Sequence, residues 1–166
     1  MITLELDLIE TWNAETDWEA VCLKSLGAAI AQTRFGGLAK KKFDLSVSVR
    51  FGGDTEIQAL NKQWRDKDKA TNVLSFPMMG EEELGALANT DDGEVLLGDM
   101  ILAHETCTRE AEEKGISLEN HVTHLVVHGM LHLLGYDHID DTEAEAMEAL
   151  EIKALASMGL PNPYSD

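Results

Sequence analysis

Five of the six histidines in the chain fall between residues 121 and 138, in the run His121-Val-Thr-His124-Leu-Val-Val-His128-Gly-Met-Leu-His132-Leu-Leu-Gly135-Tyr-Asp-His138. A four-residue step on an α-helix turns a side chain by only about 40°, so His128 and His132 project from one face, one turn apart, and can share an ion. Gly135 is placed to end that helix in a left-handed conformation, after which the chain can bend back and bring in His138 as a third nitrogen. Three neutral imidazoles leave the fourth position of a tetrahedral zinc ion open, as in catalytic sites, whereas structural zinc is usually closed by four protein ligands. The spacing H-x-x-x-H-x-x-G-x-x-H therefore predicts one catalytic Zn2+ ion on His128, His132 and His138, in a small soluble hydrolase.

A histidine pair at this spacing alone is more often a pair of satisfied polar residues on a helix; the glycine and the third histidine reverse that balance. His121 and His124 lie on nearly the same helical face as His128. Each is either a fourth ligand or substrate contact, or, more commonly, an imidazole on the helix surface or behind the ligands. Asp137 can orient an imidazole or accept a proton, although an Asp in a turn after a helix more often accepts from backbone amides.

The residue after the first ligand separates two chemistries. Zinc proteases of the metzincin type read H-E-x-x-H-x-x-G-x-x-H, with the Glu as general base. Here that position is Gly129, which can neither take a proton from water nor deliver one to an amide nitrogen. A nuclease tolerates this loss better, because RNA carries an internal hydroxyl nucleophile and its leaving alkoxide can be protonated by water or a histidine. A zinc-dependent protease or other small metal hydrolase is thus the second reading.

The run His128-Gly-Met-Leu-His132-Leu-Leu-Gly-Tyr-Asp-His138 resembles the signature of the YbeY family of bacterial endoribonucleases. The resemblance continues in Leu60-Asn61, Trp64-Arg65, Asp68, Thr71 to Pro77 and Leu97-Gly98-Asp99-Met100, and so covers roughly residues 44–156. The first forty residues match only in their order, strand then helix. The resemblance implies that the three histidines hold zinc and that Arg65 matches an arginine the family uses for activity. A guanidinium suits that role, because it fits phosphodiester oxygens bidentately and stabilises charge developing there. Without the resemblance Arg65 would read as a surface ion-pair partner of Asp66 or Asp68.

What the resemblance implies for function is a single-strand-specific, metal-dependent endoribonuclease in ribosomal RNA maturation (16S 3′ end processing) and ribosome quality control. Its partners would be single-stranded or ribosomal RNA and the small ribosomal subunit or its proteins, with no DNA. A third reading is a non-catalytic ribosome assembly factor with structural zinc. The chain departs from the usual Thr-Asp-Val-Leu-Ser-Phe at Asn72, which removes any carboxylate role there while keeping turn or capping hydrogen bonds. Asp99 matches a Gly-Asp pair at a strand start, where a backbone-bonding role is expected rather than catalysis.

The elements must carry these residues. A chain of 166 residues with 44% apolar content suits one compact domain, residues 1–166. Period-two alternation predicts strands over ITLELDL at the start and Asp44 to Phe51; Thr71 to Phe76, ended by Pro77, and Glu94 to Ala103 read as a third and a fourth, a pair that could form a hairpin joined by the acidic segment Gly80 to Gly93. Helical spacing and caps predict helices from about Thr16 to Arg34, Thr55 to Trp64, His104 to Lys114, Ser117 to the histidine run, and from Asp141 to Met158. The order fits, and the resemblance implies, an α+β fold: a roughly four-stranded mixed sheet on about five helices, with a zincin-like central helix bearing the histidines.

Cys22 and Cys107 are far apart and expected to be buried thiols. No basic leader precedes an apolar core and no apolar run approaches the roughly 20 residues that span a bilayer, so a cytoplasmic location without membrane contact is expected. The net charge of −18 argues against nucleic acid, but it is segregated. Residues 1–70 carry ten Lys/Arg against eleven Asp/Glu, and residues 71–166 carry three against twenty. Arg34, Lys40, Lys41, Lys42, Arg50, Lys62, Arg65, Lys67 and Lys69 fall in one stretch that a fold could gather on one face or leave as solvated positions.

Overall fold

The computed structural model describes residues 1–13, 15–40, 44–87 and 93–165. Along the chain run β1 (Ile2–Leu8), α1 (Trp18–Ala31), a short 3-10 helix (Gly36–Lys40), β2 (Asp44–Gly52), α2 (Asp54–Arg65), β3 (Val73–Pro77), α3 (Glu81–Ala86), β4 (Glu94–Ala103), α4 (His104–Lys114), α5 (Leu118–Leu133) and α6 (Asp141–Ser157). The four strands form one mixed sheet in the order β1-β2-β4-β3. β1 and β4 run parallel to β2, and β3 pairs antiparallel with β4 at the edge, as the hairpin reading expects.

Alternation along β2 divides the molecule. Leu45, Val47, Val49 and Phe51 face the main core with Leu97, Met100 and Leu102 of β4, and α1 and α5 close this face with Cys22, Leu26, Ile30, Val126 and Met130. Trp12 and Trp18 seal one end against Phe51, with ring centroids 4.7 and 5.3 Å away, and the Trp12 indole donates to the Gly52 carbonyl. On the opposite face α2 sets Ile57 on Leu74, Ile101 and Ala103. Cys22 and Cys107 are both buried, as expected.

Two features differ from expectation. The acidic segment after β3 contains a sixth helix, α3, which is anchored by buried Leu84 and Leu87 and begins where Glu83 accepts from the Gly80 amide. Two leucines among glutamates are too short a pattern to show helical periodicity. Gly98-Asp99 lies within β4 rather than at its start. The β2–β4 register shifts there, with Ser46 opposite Leu96 and then Val47 opposite Gly98. Gly98 has φ +153°, and a Cβ on it would collide with the Phe76 carbonyl. Alternation then turns Asp99 to the face away from the main core, beside Ser48 and Arg50.

Candidate metal centre and its cleft

Ser117 starts α5 by accepting from the Asn120 amide, and the apolar residues Val122, Leu125, Val126, Met130 and Leu133 drive it into the core against α1, α4, α6 and β3. His128 and His132 ride on the flank of this helix, half-buried. Gly135 then adopts φ +96°, and the Tyr136 amide donates back to the Leu131 carbonyl, the glycine-dependent helix stop expected from the spacing. The turn returns His138 to the other two. The ligating atoms of His128, His132 and His138 all lie within 4.8 Å of one another, a group able to hold a metal ion.

The donor set fits such an ion. His128 Nε2 and His132 Nε2 are 3.1 Å apart. Two nitrogens sharing one four-coordinate ion at the usual imidazole distance stand about 3.3 Å apart. Burial, reinforced by the neighbouring His128 and His138, pushes the His132 pKa down to about 4, so this imidazole is a neutral donor near pH 7.

Glu151 on α6 is the functional residue that sequence reasoning missed. It has no exposed surface, and its Oε1 lies 2.5 Å from His128 Nδ1. Burial alone would raise its pKa, but hydrogen bonds from His124, His128 and Tyr164 outweigh that and hold it down to about 2. An ionised carboxylate can only accept, so His128 Nδ1 donates and Nε2 keeps its lone pair for the ion. The other oxygen, Oε2, accepts from the Tyr164 hydroxyl at 2.5 Å. The available signal was its place four residues from both Met147 and Leu155, on the buried stripe of α6.

His121 and His124 are not on the helix surface; both are buried, and neither joins the triad. His124 Nε2 stands 3.5 Å from Glu151 Oε1, behind His128, and His121 Nε2 meets Glu110 Oε1 at 2.8 Å. Asp137 accepts from the backbone amide of His138, the commoner role for an Asp in such a turn.

The triad opens onto a cleft of about 310 Å³ whose opposite wall is the end of α2 and the loop that follows it. Asp66 caps α2 in the left-handed region at φ 56°, and Asn61, buried, accepts from the Lys67 amide through its carbonyl and donates to the Lys69 carbonyl through its side chain. This pinned loop presents Lys67 and Lys69 to the cleft. Arg65 lines the same cavity and donates through Nη2 to the Ser75 carbonyl at 3.2 Å. No carboxylate lines the cavity among the described residues. Arg65 is therefore brought to the histidines rather than to Asp66 or Asp68.

The rest of the basic stretch is dispersed. Arg50 pairs with Asp7 and Glu56 on the sheet, Lys62 lies 3.9 Å from Asp68, and Arg34 sits over the Phe35 ring. Lys40 ends the 3-10 helix, and Lys41 and Lys42 lie outside the described residues. Gly129 faces β4, where a Cβ would come within 2.7 Å of the Met100 sulfur; a side chain there would enter the core rather than the cleft.

The family model described as endoribonuclease YbeY matches residues 10–159. The chain is 53% identical over 166 residues to endoribonuclease YbeY of Sphingopyxis alaskensis, covering all of this chain and 99% of that one. It is also 53% identical to the protein of the same name from Zymomonas mobilis, covering all of this chain and 94% of that one. The solution structure of TM1509 from Thermotoga maritima has the same fold, with TM-score 0.54 and 22% identity over 99% of this chain and 100% of that one. By the histidine signature, the match along nearly its whole length and the shared fold, the chain belongs to the YbeY family.

Proposed function

We propose that the whole chain, residues 1–166, acts as one zinc-dependent endoribonuclease domain that cuts single-stranded ribosomal RNA during 16S 3′ end maturation and ribosome quality control. In this reading it works in the cytoplasm, on or near the small ribosomal subunit, with no role on DNA. The observation that carries this reading is the cleft itself: in a chain of net charge −18, one cavity sets three imidazoles opposite Arg65, Lys67 and Lys69 and holds no carboxylate among the described residues. The cations of this lining suit a phosphodiester, and the three imidazoles suit a metal ion that keeps one position open. Among the described residues no helix is long and apolar enough to cross a membrane.

His128, His132 and His138 would hold the zinc, with Glu151 fixing the ring of His128. A bound zinc ion would supply Lewis-acid polarisation of a phosphoryl oxygen or activation of the attacking hydroxyl. Arg65 keeps one guanidinium nitrogen on the Ser75 carbonyl, which fixes its plane, and directs its remaining donors to the charge that builds on phosphorus-bound oxygen. Lys67 and Lys69 bind flanking phosphates as point charges. With Gly129 turned into the core, the site has no protease-type carboxylate base.

The test is elemental analysis of the purified protein together with cleavage of single-stranded RNA and of casein, each with and without chelator. Stoichiometric zinc, chelator-sensitive RNA cleavage and uncut casein are expected. His132→Ala and Arg65→Ala should each lower the rate by at least about 100-fold, the scale of lost electrostatic stabilisation, with unchanged circular dichroism. RNA cleavage that persists unchanged in folded His132→Ala would refute the assignment and leave an assembly factor.

A further inference from the structure

We infer that Trp64 is a nucleobase-stacking subsite at the outer edge of the cleft, taking an unpaired base of the RNA strand whose phosphates lie on Arg65 and Lys67. The inference rests on the RNA reading above and adds to it how the protein tells a single strand from a duplex.

Trp64 is 64% exposed, whereas Trp12 and Trp18 are 4% and 3% exposed. Its place in the sequence makes that exposure unusual. Ile57, Leu60 and Trp64 follow the spacing of one helical stripe, and the first two pack under α2 against Leu74 and Ile101. The third member falls in the last turn of α2, beyond that cluster. Among the described residues its indole has neither a ring partner nor a hydrogen-bond partner. The fold therefore gains little from a tryptophan here.

Its neighbours give the exposed ring a use. Asn61 and Arg65, three residues before and one after, both line the cleft, so Trp64 stands on the helix end that forms the cleft wall, with its ring outside the cavity lining itself. Lys67 follows in the pinned loop. A flat aromatic face beside cations that track a phosphate backbone is the combination that binds single-stranded nucleic acid, because every base offers a π-face while the backbone offers charge. A duplex already stacks its bases on one another and has none to offer. A partner protein with an apolar patch is the competing occupant, and it would gain nothing from the adjoining cations.

Because the other two tryptophans are buried, red-edge emission reports Trp64 in the full-length, metal-loaded protein. A short single-stranded 2′-O-methyl oligoribonucleotide should quench that emission and shield it from acrylamide, and the matching duplex should do neither. Trp64→Phe should abolish the optical signal with less than about a twofold change in affinity. Trp64→Ala should raise KM for a cleavable single strand by about five- to tenfold with kcat unchanged, the lower end of the range for one stacked base, as suits a ring at the rim. If fluorescently labelled single-stranded RNA binds while Trp64 emission and the KM of Trp64→Ala stay as in the parent protein, the stacking subsite is refuted and the nuclease reading stands. If labelled RNA is neither bound nor cut, the RNA reading itself fails and the subsite with it.

Discussion

A carboxylate with no exposed surface is unfavourable unless its oxygens are matched, and both oxygens of Glu151 are: one by His128, the other by Tyr164. The match fixes which nitrogen of His128 faces the cleft, because Nδ1 is spent on the carboxylate. Glu151→Gln keeps the volume but weakens the acceptor and adds a donor that must turn away from the imidazole. Zinc affinity, measured by competition with a chelating dye, should fall about 10–100-fold while the far-ultraviolet dichroism is unchanged. Equal affinity in the two proteins would mean that α5 alone orients His128. At this scale the sequence was readable where a spacing rule exists, as for His128, His132, Gly135 and His138. It was silent for Glu151, since a lone Glu on an apolar stripe does not say which residue of another helix it will meet.

Elements are joined around the cleft by a second carboxylate. Glu110 of α4 accepts from the side chain of Asn72, just before β3, and from His121 of α5, so one oxygen ties three parts of the fold together. Asn72 also accepts from the Val73 amide through Oδ1, which sets the start of the strand that floors the cleft. Here the departure from the usual Asp has a physical reason: an Asp at position 72 would set two carboxylates 2.9 Å apart where Asn donates. Asn72→Asp should therefore destabilise the fold by about 1–3 kcal/mol, the cost of losing a partly buried donor and gaining a like charge, and adding Glu110→Gln should recover most of it. Urea midpoints of the four proteins in this cycle test the claim; full additivity of the two changes would refute the contact. The periodic elements themselves were legible because their apolar patterns repeat. Short α3 was not, and neither was the burial of His121 and His124, which depends on carboxylates donated by α4 and α6.

For the molecule as a whole, charge is the property that sequence order describes least well. Nine cations between Arg34 and Lys69 look like a single patch on paper, yet acids recruit Arg50 to the sheet and Lys62 to the end of α2, and among the described residues only Arg65, Lys67 and Lys69 of the nine reach the cleft wall. The net charge of −18 repels RNA at long range, so the proposed RNA binding rests on local phosphate contacts at this wall, and such contacts release counterions. Each phosphate contact to a single strand contributes about 0.7 to the slope of log affinity against log salt. Lys67→Ala/Lys69→Ala should flatten the slope by about 1.4 and weaken binding most at low salt. Lys40→Ala, on the 3-10 helix that leads into β2, should leave the slope as it is. Titrations of labelled single-stranded RNA across a range of potassium chloride give both slopes, and a double variant with the parent slope would place the phosphate path elsewhere on the molecule.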